Sequence, residues 1–224
     1  MLKPRQRFTK KQLKEDKLLT AIAKTQAYVE QEWTRLLLIA GSAALIVLFG
    51  VIYISSSRAE REEASSELYV LEYQYIEQGI YNDQLAQDLL NYLSKHEETV
   101  SGGNATFYLA NTYYNLGKYQ ESENYFRKYL DDYDGIKFLQ SSATAGIAAS
   151  YEQRKMYKEA SDYYLRSVKD YPDEFTLPEN MLGAARTLSF AGEREQAREQ
   201  CTVLIERFPN TNEAVKAQII LSRY

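Results

Sequence analysis

Beyond residue 100 the chain repeats itself, and self-similarity at a fixed period confines a fold more tightly than any single motif. Leu109-Ala110-x-x-Tyr113 is followed by Gly117 and then by Ser122-x-x-x-Phe126. Thirty-eight residues later come Ile147-Ala148-x-x-Tyr151 and Ala160-x-x-x-Tyr164, ending at Pro172. Thirty-seven residues after that come Ala184-Ala185-x-x-Leu188, Gly192 and Ala197-x-x-x-Cys201, ending at Pro209. Each unit reads as two helices joined by a turn. Ala110, Ala148 and Ala185 are small where paired helices must approach closely, and Ser122, Ala160 and Ala197 do the same for the partner helix. Leu109, Tyr113, Phe126, Tyr151 and Tyr164 are the large residues that fill the space between units. Gly117 and Gly192 permit the left-handed turn that ends a first helix, and Pro172 and Pro209 stop the second.

The pattern resembles the tetratricopeptide repeat, a helix-turn-helix unit with a large-small pair, an aromatic, a small residue, an aromatic and a closing proline. Two features differ from it. The pitch of 37–38 residues exceeds the usual pitch of about 34, so the segments DDYDGIKFLQ and DYPDEFTLPE carry insertions. The first unit has Asp134 where the closing proline belongs. Upstream, RAEREEASSELYVLEYQYIEQ and DQLAQDLLNYLSKHEE read as a degenerate first helix pair over 58–103, with Gly79 and Gly102-Gly103 marking its turns. Its leading helix can continue straight from the segment before it. After Pro209, TNEAVKAQIILSRY gives a last helix that covers the open end of the stack, so 104–224 reads as three repeats plus a cap. The expected fold is all-α, one transmembrane helix followed by a tetratricopeptide-like α-solenoid.

That transmembrane helix is expected over 36–57. Leu36 to Ile54 is LLLIAGSAALIVLFGVIYI, nineteen uncharged residues. At about 1.5 Å per residue they would cover a hydrocarbon core of roughly 30 Å. A cleavable signal peptide fits less well, because 35 residues precede the run and the run is longer than the usual apolar core of such peptides. Ala40 and Ala44 offer a small-xxx-small face.

Charge divides the chain in the same place. Residues 1–35 hold nine Lys/Arg against four Asp/Glu, a net of +5, whereas 58–224 hold eighteen against twenty-seven, a net of −9. Basic residues before a span favour a cytoplasmic N-terminus, here Lys17, Lys24 and Arg35 in a short tail. The repeat domain is then extracytoplasmic. Within the tail, Leu18, Ile22, Val29 and Trp33 fall at helical spacing among Lys10, Lys11, Lys14, Lys17 and Lys24. That stretch is either an amphipathic helix on anionic lipid or a solvated inward continuation of the span.

The acidic body argues against a nucleic-acid partner, which needs cations to neutralise phosphates. One Cys and one His leave no disulfide framework and no Cys/His metal site. His96 sits beside Lys95 near a helix end, where a cation suits the dipole, and Cys201 takes an aromatic's place as a small buried residue. Asp131-Asp132-Tyr133-Asp134-Gly135 lacks the ligand spacing of a calcium loop. No catalytic set and no cofactor are expected.

What remains is a surface for a protein or peptide. Repeat stacks of this type hold partners on the concave face made by first helices, and the face opposite the packing residues supplies Phe107, Asn111, Tyr114 and Asn115. The next two repeats add Ala145, Ala149, Glu152 and Gln153, then Leu182, Arg186, Ser189 and Phe190. Aromatics beside amides suit a peptide, since amides pair its backbone while rings cover its side chains.

One span with a basic tail followed by a small repeat domain resembles the ancillary SecYEG translocon subunit family of Gram-negative bacteria. That resemblance implies a single-pass inner-membrane protein with a periplasmic repeat domain, which associates with the Sec translocon and helps periplasmic chaperones receive exported chains. The alternative is an envelope-assembly or cell-division adaptor, similar to periplasmic coordinator proteins with related repeats. Those are typically secreted or lipidated, so a retained span speaks against them.

Overall fold

The computed structural model describes residues 10–223, with side chains from Lys17 onward except that of Leu36. The described residues form nine helices and no strand: α1 (Lys10–Ile76), α2 (Asp83–His96), α3 (Val100–Asn115), α4 (Tyr119–Asp132), α5 (Lys137–Gln153), α6 (Tyr157–Asp170), α7 (Leu177–Ala191), α8 (Arg194–Arg207) and α9 (Asn212–Leu221). Two compact units, Met1–Ala59 and Glu60–Tyr224, divide the chain.

In the first unit, α1 carries the apolar run with its large side chains turned outward, among them Leu38, Ile46, Val47 and Phe49. Among the described residues, one helical segment, Leu37–Ile76, is long and apolar enough to cross a membrane. Charges from Arg58 onward confine its uncharged part to the residues before that point. Leu18, Ile22 and Trp33 are exposed on the same helix. The expectation for residues 1–9, and for the side chains of Lys10, Lys11 and Lys14, lies outside the described residues.

The second unit opens with the degenerate pair. Ala64 and Leu68 of α1 pack against Leu85, Leu89, Tyr92 and Leu93 of α2, and the Tyr92 hydroxyl donates to the Ala64 carbonyl at 2.9 Å. Gly79 makes the turn at φ 61°, as its sequence position suggests. Gly102 and Gly103 do not mark a turn; both lie in the first turns of α3. The connection is Glu97–Thr99 instead, with the Thr99 hydroxyl accepting from the Gly102 amide at 2.9 Å. The glycines are there for close approach: a Cβ at Gly102 would stand 2.3 Å from the His96 carbonyl oxygen. His96 itself ends α2 only 7% exposed, its ring tilted 40° against that of Tyr92 and its Nε2 3.2 Å from the Glu67 carboxylate.

The clear repeats are α3–α4, α5–α6 and α7–α8, with α9 packed on α7 and α8. Ala110, Ala148, Ala160, Ala185 and Ala197 are fully buried at the helix contacts, as are Leu109 and Cys201. Two aromatic rings pack against glycines of the next repeat. A Cβ at Gly146 would be 2.4 Å from the Phe126 ring, and one at Gly183 would be 2.7 Å from the Tyr164 ring. Some small positions are polar but satisfied: Ser150 Oγ donates to Ser122 Oγ at 3.2 Å, and Asn180 Nδ2 donates to Ser167 Oγ at 2.9 Å. Between repeats, Glu123 accepts from Arg127 and Arg154, while Arg127 also donates to the Tyr151 and Tyr163 hydroxyls. Pro172 and Pro209 stand two residues beyond the ends of α6 and α8.

The three intra-repeat turns share one backbone geometry. The amides of Lys118, Met156 and Glu193 bond the carbonyls of Tyr113, Tyr151 and Leu188 at 2.9, 3.0 and 2.9 Å. The residue before each amide has positive φ: Gly117 at 74°, Gly192 at 86°, and in the middle repeat Lys155 at 61°. A side chain in that conformation costs about 1 kcal/mol relative to glycine. Lys155→Gly should therefore stabilise the domain by about 1 kcal/mol, read as a higher urea midpoint at unchanged slope.

Candidate functional site

A groove of about 610 Å³ runs along the first helices of the repeats. α3 contributes Asn111 and Tyr114, α5 contributes Ser142, Ala145, Ala149, Glu152 and Gln153, α7 contributes Glu179, Asn180, Leu182 and Arg186, and α9 contributes Glu213 and Lys216. Phe126 and Tyr164 reach the lining from second helices, because Gly146 and Gly183 leave the rings room beside the first-helix backbones. Small residues on the first helices thus give the groove an aromatic floor.

Its centre is an ion pair. The Arg186 guanidinium grips Glu152 with Nε to Oε1 at 2.6 Å and a terminal nitrogen to Oε2 at 2.8 Å, bridging α7 and α5. Glu152 is 14% and Arg186 40% exposed at the side chain. Hydrogen bonding to Glu152 pushes the Arg186 pKa up, which keeps the guanidinium charged. Burial pushes the Tyr114 and Tyr164 phenols up, which keeps them neutral hydroxyls. Tyr114 accepts from Gln153 Nε2 at 3.2 Å, and Tyr164 lies 3.4 Å from Glu152 Oε2. The groove therefore presents hydroxyls, amides and rings, with its central cation already occupied.

Of the residues that sequence spacing assigns to this face, Asn111, Tyr114, Ala145, Ala149, Glu152, Gln153, Leu182 and Arg186 line the groove. Phe107 does not. It packs edge-on between Phe126 and Tyr129, at 5.7 and 5.6 Å, because its position on α3 points into the α3–α4 seam. Asn115 is exposed beyond the lining, with Nδ2 bonded to the Asn111 carbonyl. Phe190 lies exposed near the end of α7 against Tyr157, at 5.0 Å. Glu179, Glu213 and Lys216 are additions, as are Phe126 and Tyr164, which the sequence assigns to packing alone. The signal for the rings was the 37-residue spacing of Gly146 and Gly183. No cluster of metal-ligating side chains occurs among the described residues.

Glu152→Gln should leave the guanidinium of Arg186 half-buried without its counter-ion. A loss of about 1–2 kcal/mol follows, measured by urea unfolding, whereas an unchanged midpoint would show that the pair does not bridge the two helices.

The model of the tetratricopeptide repeat family matches residues 104–135, 146–174 and 179–211. No curated protein matches the sequence. Among solved structures, the TPR-like repeats of a kinesin light chain from Podosopora anserina align at TM-score 0.55 and 16% identity, covering 75% of this chain and 84% of that one. YrrB, described as a TPR protein with an unusual peptide-binding site, aligns at TM-score 0.50 and 16% identity, covering 73% of this chain and 75% of its own. At that identity the likeness is one of fold. The repeat domain is a tetratricopeptide-type solenoid, a fold that typically serves as a non-catalytic scaffold for protein–protein interaction.

Proposed function

We propose that the chain is a membrane-anchored scaffold whose groove receives an extended segment of a protein partner. The single observation that carries this reading is the groove itself: rings at its floor, amides and hydroxyls at its walls, and Arg186 neutralised by Glu152. The backbone of an extended chain can pair with Asn111 and Gln153, while a terminal carboxylate would meet Arg186 already held by Glu152, with Lys216 as the other lining cation. YrrB, whose description names a peptide-binding site, supports the same use of the same fold. The span and the basic tail support a single-pass inner-membrane protein with its N-terminus cytoplasmic and its repeats periplasmic. In that compartment the partners are the Sec translocon, exported chains leaving it, and the periplasmic chaperones that receive them.

A reporter active only outside the cytoplasm should work when fused after Tyr224 and fail when fused after Lys17. A photo-crosslinker at Gln153 in the full chain should capture the translocon or chains emerging from it. Tyr114→Ala should reduce that capture at least about tenfold, corresponding to about 1.4 kcal/mol, with the circular dichroism spectrum unchanged. Phe190→Ala, outside the lining, should leave capture intact. Equal capture by the folded Tyr114→Ala variant would remove the groove as the binding surface.

A further inference from the structure

The insertions that lengthen the repeats build a second feature beside the groove. Phe138, at the start of α5, stacks on Phe175 in the α6–α7 connection with ring centroids 4.5 Å apart and planes 23° from parallel. Yet Phe175 stays 75% exposed and neighbouring Ile136 67% exposed. The backbone beneath them is fixed. The Gly135 amide bonds the Tyr133 carbonyl at 2.9 Å, the Leu177 amide bonds the Glu174 carbonyl at 3.0 Å, and the Thr176 and Ser141 hydroxyls lie 2.9 Å apart. Two large apolar side chains held outward on a built ridge are surface that burial would favour strongly.

Charge selects what covers them. Asp131, Asp134 and Asp173 are exposed in the same two inserted segments as these side chains, and no ion-pair partner is found for any of them among the described residues. Lys137 is the one cation within the same two inserted segments, 131–140 and 170–179. A second copy is disfavoured, because residues 58–224 carry eighteen Lys/Arg against twenty-seven Asp/Glu and like-charged domains repel. An anionic lipid surface is disfavoured for the same reason. We propose that this ridge docks a basic, apolar-faced helical segment of a partner protein. Phe175 and Ile136 take its apolar face, and Asp131, Asp134 and Asp173 take its Lys or Arg side chains. Thr176 and Ser142 border the groove beside it, but Phe138, Phe175, Ile136 and the three aspartates are not among the groove's lining, and the proposal stands whether or not the groove holds a peptide.

The test is methyl NMR on the full chain in zwitterionic nanodiscs, reading the Ile136 methyl group while a 14-residue amphipathic Leu–Lys helix is titrated in. Saturable shifts are expected at Ile136 and not at buried Ile147, with no response to the matching Leu–Glu peptide. Phe175→Ser should weaken binding at least about tenfold without changing the melting temperature, since the ring contributes little to the core. Asp131→Asn combined with Asp134→Asn and Asp173→Asn should weaken it severalfold and flatten its salt dependence. Tyr114→Ala should leave it unchanged. The proposal is overturned by an unresponsive Ile136, by shifts that survive Phe175→Ser, or by loss of the response in Tyr114→Ala, which would place the peptide in the groove. Paramagnetic lipid broadening of Ile136 before peptide is added would also overturn it, since the membrane would then be the occupant.

Discussion

The repeat domain depends on a ring lying against a helix that has no side chain to obstruct it. Phe126 meets Gly146 and Tyr164 meets Gly183, each where a Cβ would come within 2.7 Å of ring atoms. Glycine inside a helix costs about 1 kcal/mol relative to alanine. Burying most of an aromatic side chain returns about 1.5–3 kcal/mol, so the exchange favours the stack. The third repeat solves the same problem in reverse. Thirty-seven residues past Tyr164 stands Cys201, and thirty-seven past Gly183 stands Ile220; both belong to one buried cluster, with the large residue now on the first-helix side. Burial pushes the Cys201 thiol up to about 11, which leaves it a protonated filler rather than a nucleophile.

The groove follows from that packing. Because the rings come from second helices and sit over glycines, they surface between first helices and floor the concave side. The walls are then free to be polar, and the Glu152–Arg186 pair ties α5 to α7 at a fixed spacing without leaving a net charge in the centre. Geometry and chemistry thereby favour a partner that is extended and hydrogen-bonding over one that is anionic.

Most of the fold was legible because its signal is periodic. The Ala and Leu contact positions, the Gly117 and Gly192 turns and the closing prolines are all spacing statements, and the helices fall where the spacing puts them. What escaped was local. Lys155 occupies a left-handed turn that its residue type does not announce, and Gly102 looks like a loop residue until the His96 carbonyl is found beside it. Phe107 was misplaced because helical spacing gives a face but not which of two neighbours fills the adjacent seam. Glu213 and Lys216 reach the groove only because α9 packs on α7, a contact no single-repeat pattern encodes.

The most direct test of the ring-on-glycine contact is a double-mutant cycle on Tyr164 and Gly183, with stability measured by urea unfolding. With tyrosine in place, Gly183→Ala should destabilise by about 1–3 kcal/mol, because the added methyl must displace a packed ring. With Tyr164→Leu in the background, the same change should be neutral or stabilising by up to about 1 kcal/mol, since only helix propensity remains. An equal effect of Gly183→Ala in both backgrounds would contradict the account.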